Sequence, residues 1–192
     1  MTLLKIATIG HPLLRERSRE VSLQELGSAE VQTLIDDLIE TMRDASGAGI
    51  AAPQCYRLLR ICVIEVKGNP RYPHLPDIPL LVLVNPVITP LSPETFDNYE
   101  GCLSVPNLRG LVARHTHVKL AYTDRAGQPI EREVRGLAAC ILQHECDHLD
   151  GTLFVDRVKD PRSLTTLADY ERFHRGAFID SLRGLLQAEA SR

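Results

Sequence analysis

Apolar residues along this 192-residue chain recur in two rhythms, and the change from one to the other marks out its elements. Between Ala29 and Ala45, Val31, Leu34, Ile35, Leu38, Ile39 and Met42 fall at helical spacing with Asp36, Asp37 and Glu40 opposite, which predicts a helix with one core-facing stripe. The Gly-rich stretch from Gly47 to Gln54 ends it. Strand signals follow at Leu59–Val66, Leu80–Ile88, Leu111–Tyr122 and Ile130–Val134, the last two joined by the turn composition Thr123-Asp124-Arg125-Ala126-Gly127. Four prolines in 67–79 forbid a continuous strand, so an extended loop is expected there. His11-Pro12-Leu13-Leu14 reads as one turn, and further helices are expected over Gly136–Leu149 and Leu164–Gln187. There is no internal repeat, low-complexity tract or linker. Strands in one block with helices at both ends predict an α+β class: antiparallel β-sheets packed around a central helix, with an N-terminal and a C-terminal helix, as one domain over 1–192.

Composition narrows the function classes. Hydrophobic and charged shares of 44% and 24% are ordinary globular values, and the absence of Trp makes the core mostly aliphatic. A net charge of −3 gives no electrostatic case for nucleic acid or an anionic membrane. The N-terminus lacks the basic segment and apolar run of a secretory signal, and no stretch approaches the ~20 apolar residues of a transmembrane helix. A soluble protein of the bacterial-type cytosol is the expectation, with an organelle as the alternative should a leader have been removed. Five cysteines, an odd number without Cys-x-x-Cys spacing, read as reduced thiols, most of them small buried hydrophobes.

The second predicted helix carries the chemistry. In His144-Glu145-Cys146-Asp147-His148 the two histidines stand one turn apart, about 5.4 Å along the axis, on one face. Two imidazoles so placed can converge on one cation, and Glu145 beside them can act on a bound water. Polar surface on a solvated helix is the plain alternative. The preceding turns are almost wholly apolar, however, so the helix is buried and its polar residues need a reason to be there.

A third donor must come from elsewhere. Cys140 and His148 are about 12 Å apart along the axis, too far for one ion, and Cys146 points away from both histidines. Phe154 occupies the position where a long zincin motif would carry its third histidine. Glu171, on a later helix, would suit a zinc endopeptidase. Cys102, in Glu100-Gly101-Cys102-Leu103-Ser104-Val105-Pro106, is the remaining thiol in a suitable setting.

Three segments, Gly47-Ala-Gly-Ile-Ala-Ala-Pro-Gln54, Glu100-Gly-Cys-Leu-Ser104 and Gln143-His-Glu-Cys-Asp-His-Leu-Asp-Gly151, resemble in order and separation the signature motifs of the peptide deformylases. The likeness extends through His11-Pro12, Asn85-Pro86 and Arg109. Ala48 and Ile50 depart from the family's more usual residues, and Ala48 leaves more room beside the substrate. The resemblance implies that Cys102, His144 and His148 hold one divalent metal ion, with a fourth position for water. That ion would be Fe²⁺ in the cell, with Zn²⁺, Ni²⁺ or Co²⁺ able to occupy the site in a purified sample. It implies further that Glu145 moves the proton and that the Gln54 amide and Leu103 N–H hold the oxyanion. Ala48, Gly49, Gly101 and Arg109 would contact an extended peptide, while Leu137, Cys140 and Ile141 would line the methionine pocket.

The activity implied is removal of the N-formyl group from the formylmethionyl ends of nascent polypeptides. Those ends are the implied partners; a transient ribosome contact finds no strong basis in the mixed charges of the last helix. The alternative is an endopeptidase with Glu171 as third ligand; a further rival is a fold relative that binds such peptides without turnover. The loop 67–79 is expected to border the substrate cleft through Arg71 or Tyr72. His115 and His117 read as surface or satisfied side chains. Asp147 either orients a histidine or pairs with an arginine, and Arg109 could instead form a structural ion pair.

Overall fold

The structure, a computed structural model, describes residues 2–68 and 77–190, with side chains described as far as residue 185. Most of the proline-rich loop, including Arg71 and Tyr72, lies outside the described residues. A turn at Pro12–Arg15 precedes a one-turn helix α1 (Leu23–Leu26) and α2 (Ala29–Asp44). Strands β1 (Gly49–Ala51), β2 (Ile61–Val66), β3 (Ile78–Pro90), β4 (Thr95–Cys102), β5 (Val105–His115), β6 (His117–Thr123) and β7 (Pro129–Arg135) follow. Then come α3 (Gly136–Leu149), α4 (Phe154–Arg157) and β8 (Thr165–Thr166). The chain closes on α5 (Leu167–Asp169), a π-helical turn (Tyr170–His174) and α6 (Arg175–Ala190), which run on as one helical segment.

The strands form two antiparallel sheets, in the orders β1-β2-β3-β6-β7 and β4-β5-β8. Helix α2 begins where Ser28 accepts a hydrogen bond from the Val31 N–H, a good N-cap, and lays its predicted stripe on the first sheet. Ile35 and Leu38 are fully buried, each contributing about 1.5–3 kcal/mol. Helix α3 touches β1, β2 and β3 of one sheet and β5 of the other, so it lies buried between them. Its abrupt start relies on Gly136, whose φ of +63° turns the chain from β7 into the helix at little steric cost. The Gly136 N–H is held by Thr116 O at 2.7 Å.

Three expectations change. The run Leu111–Tyr122 is two strands belonging to different sheets: β5 pairs with β4, and β6 with β3 and β7, across a corner at Thr116. Alternation continues through the corner without Gly or Pro, so periodicity does not reveal it. Strand β4 had no sequence signal, because Asp97, Asn98 and Glu100 have low β-propensity; pairing with β5 imposes it. The last helix starts at Leu167 rather than Leu164, because Thr165 and Thr166 pair with Arg109 and Leu108, and Thr166 then caps the helix. Asn85 of the Asn85-Pro86 pair sits in a β3 irregularity at φ +51°, where its amide hydrogen-bonds both ways with the Val21 backbone.

Candidate metal and peptide site

Helix α3 and the β4–β5 hairpin meet in one cleft. Cys102 ends β4, and Leu103 with Ser104 forms the two-residue turn into β5, where Cys102 pairs with Val105. This puts the Cys102 thiol over the histidine-bearing face of α3. One donor atom from each of Cys102, His144 and His148 lies within 4.8 Å of the other two. His148 Nε2 is 3.3 Å from Cys102 Sγ. The donor set is one soft thiolate and two imidazoles, which suits a divalent transition metal. Glu171 is outside that group: it is half-exposed and pairs with Arg175 at 2.9 Å. The third donor beside the histidines is therefore the thiol, which disfavours the endopeptidase reading.

His144 is oriented from behind. Its Nδ1 is 2.8 Å from Glu100 Oε2, which leaves the other ring nitrogen for the cleft. Glu100 is in turn clamped by Arg114 through two hydrogen bonds of 2.7 and 2.9 Å, and Arg114 reaches Asp147 at 2.6 Å. Asp147 also pairs with Arg157 at 2.7 Å, so it forms ion pairs and the histidine's orienting carboxylate is Glu100. Burial works against ionised Glu100, but Arg114 and His144 outweigh it and hold its carboxyl at about 2. Burial likewise opposes the Cys102 thiolate, yet the imidazoles of His148 and His144 hold that thiol well below its ordinary range.

Glu145 is different. Burial pushes its carboxyl up to about 7, against the pull of His144 and His148. Its Oε2 is buried with no hydrogen-bond partner among the described residues, as is His148 Nδ1. A buried, unpaired carboxyl poised near neutrality beside a donor cluster has the properties of a general base. A Cβ on Gly49 would lie 2.5 Å from Glu145 Oε1, so only glycine lets β1 approach the carboxylate this closely.

Gln54 is buried, with its amide fixed at both ends. Its Oε1 accepts from the Ala51 N–H at 2.8 Å, and its Nε2 donates to Ser104 Oγ at 3.1 Å, 3.5 Å from Cys102 Sγ. Leu103 packs against the core under α2. Ala48 and Gly49, where the chain enters the edge strand β1 of the first sheet, line one side of the cleft, and Gly101 of β4, on the edge of the second, lines it too. Arg109 lies over Gly101, where a Cβ would overlap its guanidinium, and makes no ion pair among the described residues. Leu137, Cys140 and Ile141 floor the cleft from α3.

Apart from Arg71 and Tyr72, which lie outside the described residues, every site residue that the resemblance implied borders this cleft or, like His148, converges on its donor cluster. Cys146 turns to the far side of α3, where its thiol meets Cys62 of β2. His115 and His117 are satisfied at Ser92 O and Glu133, at 3.1 and 2.8 Å. Sequence reasoning missed Glu100 and Arg114 as the support of His144. Glu100 shares a face with Cys102 only once 95–102 is known to be a strand, which the sequence did not signal, and nothing local marked Arg114. It also missed Tyr99, Tyr170 and Phe178, which complete the cleft.

A cleft with a buried thiol, two imidazoles and a raised carboxyl is the equipment of a hydrolase that works through a bound metal. Comparison with known proteins gives the family. The model of polypeptide deformylases matches residues 3–163. Peptide deformylase 2 of Nostoc sp. is 43% identical over 169 residues, covering 88% of this chain and 93% of its own. Peptide deformylase 1 of Bordetella pertussis is 46% identical over 155 residues, with 81% and 87% covered. The Met-Ala-Ser-bound crystal structure of a class I type b peptide deformylase from Acinetobacter baumannii is similar at a TM-score of 0.79 and 41% identity, over 82% of this chain and 99% of that one. The Thermotoga maritima enzyme follows at 0.73 and 34%, over 83% and 100%. The chain belongs to the polypeptide deformylase family.

Proposed function

We propose that this chain, as one domain over 1–192, removes the N-formyl group from the formylmethionyl ends of nascent polypeptides and releases formate. The observation that carries the proposal is the convergence of Cys102, His144 and His148 beside the unpaired carboxyl of Glu145. Cys102, His144 and His148 would hold one divalent ion, Fe²⁺ in the reduced cytosol, with Zn²⁺, Ni²⁺ or Co²⁺ as substitutes. Such an ion supplies Lewis acidity, lowering the pKa of a water and polarising a carbonyl.

The chain's own residues do the rest. An extended peptide lies between the edge strands β1 and β4, with backbone hydrogen bonds at Ala48, Gly49 and Gly101. Arg109 stands over that path as a further contact. Leu137, Cys140 and Ile141 receive the first side chain, and Ala48 keeps the opposite rim low. Glu145 takes a proton from the attacking water and delivers it to the departing amine. The Gln54 Nε2–H and the Leu103 N–H receive the developing oxyanion, and a donor of this kind is worth about 2.7–4 kcal/mol. The Met-Ala-Ser held by the Acinetobacter enzyme supports the product end of this reading.

The test is direct. The Fe²⁺-loaded protein, incubated with formyl-Met-Ala-Ser, should release stoichiometric formate. Metal bound at Cys102, His144 and His148 with no formate released would overturn the proposal and leave a peptide-binding relative without turnover.

A further inference from the structure

The pocket floored by Leu137, Cys140 and Ile141 does not end on α3. Around Leu137 the cleft is also lined by Tyr99 from β4 and by Tyr170 and Phe178 from the C-terminal helical segment. The three rings pack on one another: Tyr99 lies 5.1 Å from Tyr170 and 5.7 Å, edge-on at 89°, from Phe178, while Tyr170 and Phe178 stand 6.3 Å apart. Tyr170 and Phe178 are buried at 6% and 7% exposure, and both share a cluster with Leu137. A π-helical turn, Tyr170–His174, begins at the first of them, and such turns are frequent where a helix is shaped for function. Tyr170 and Phe178 come from a helical segment that gives the donor cluster no ligand, yet with Tyr99 of β4 they line the same cleft as that cluster.

Resting on the deformylase reading, we propose that Tyr99, Tyr170 and Phe178 form an aromatic end wall that recognises the thioether of the first side chain. A thioether sulfur is attracted to aromatic rings at about 5 Å, often at the ring edge, and its polarisability makes that contact stronger than a methylene's. The three rings are tilted on one another by 56 to 89°, so they do not form one flat stacked face. An all-aliphatic pocket built from Leu137, Cys140 and Ile141 alone would accept methionine and norleucine equally, because the two have nearly the same shape. The aromatic wall separates them.

The experiment compares kcat/KM for formyl-Met-Ala-Ser and formyl-norleucyl-Ala-Ser on the metal-loaded enzyme. The sulfur contact predicts a preference for methionine of about 2- to 12-fold. Phe178→Leu should bring that ratio close to one, chiefly through KM; loss of helix packing alone would lower both substrates together and leave the ratio intact. Tyr99→Leu, on the other element, gives the same reading should Phe178→Leu fail to fold. A ratio near one in the unaltered enzyme, or an unchanged ratio in the variants, overturns the proposal. Calorimetric affinities of the products Met-Ala-Ser and norleucyl-Ala-Ser decide the same ratio without turnover. Absence of formate would therefore count against the deformylase reading alone, and equal product affinities against the aromatic wall alone.

Discussion

Replacing Arg114 with Met removes the middle of the chain Asp147–Arg114–Glu100–His144 and tests whether the support of His144 is a buried ion pair in energy as well as in geometry. Arg114 and Glu100 have side chains only 5% and 3% exposed and share two hydrogen bonds. Deleting one partner of such a pair strands a buried charge, which costs about 3–5 kcal/mol. At roughly 2.1 cal/mol/K per residue, 192 residues melt with an entropy near 0.4 kcal/mol/K, so Tm should fall by about 7–12 °C. Asp147 does not add a second stranded charge, because Arg157 still holds it. The control is Glu100→Gln with Arg114→Met: no buried charge remains, and the amide oxygen still accepts from His144. Scanning calorimetry on the metal-loaded protein should find the double variant more stable than Arg114→Met alone. A drop below about 2 °C for the single variant, or a double-variant loss equal to the sum of the singles, would refute the argument.

The other predictions bear on the cleft. Cys102→Ser should abolish stoichiometric metal measured by elemental analysis, whereas Glu171→Gln should keep it; the reverse result would restore the endopeptidase reading. Gly49→Ala places a methyl about 2.5 Å from Glu145 Oε1, and the displaced carboxylate should cost about 10²-fold in kcat on formyl-Met-Ala-Ser; an unchanged kcat would show that the close approach has no bearing on turnover. Gln54→Leu should lower kcat by about 10²–10³-fold with a small change in KM, and a pure KM effect would argue against its oxyanion role.

What could be read from the sequence divides by the range of the interactions involved. Helix α2 and helix α3 were legible because their signals are local: a stripe at 3.6 spacing in one, an apolar run ending in polar residues that need partners in the other. Helical geometry also excluded Cys140 and Cys146 as companions of both histidines. The β4 strand and the corner at Thr116 were illegible, since each is set by which strand lies alongside, and the residues themselves read as polar loop or as uninterrupted alternation. The site follows the same division. His144, Glu145 and His148 declare themselves by spacing, whereas Arg114 matters only because β5 crosses behind α3, and Tyr170 and Phe178 only because the last helix folds back on β4.

Cys102 lies between these cases, and it explains why resemblance was needed where geometry stopped. A helix can place two donors on one face a turn apart, but a third on that face falls a further turn away. The third donor must therefore arrive on a separate element, and nothing in α3 specifies which. In this fold it arrives beside a two-residue hairpin turn that Ser104 ties in twice: its N–H lies 3.3 Å from Cys102 Sγ, and its hydroxyl accepts from Gln54. Gln54 in turn is fixed to Ala51 at the end of β1. One hydrogen-bonded chain thus runs from the edge of the first sheet, through Gln54 and Ser104, to the thiol on the second. The hairpin that brings the thiol is thus bonded to both sheets, so changes there should be felt in metal binding and in peptide alignment together.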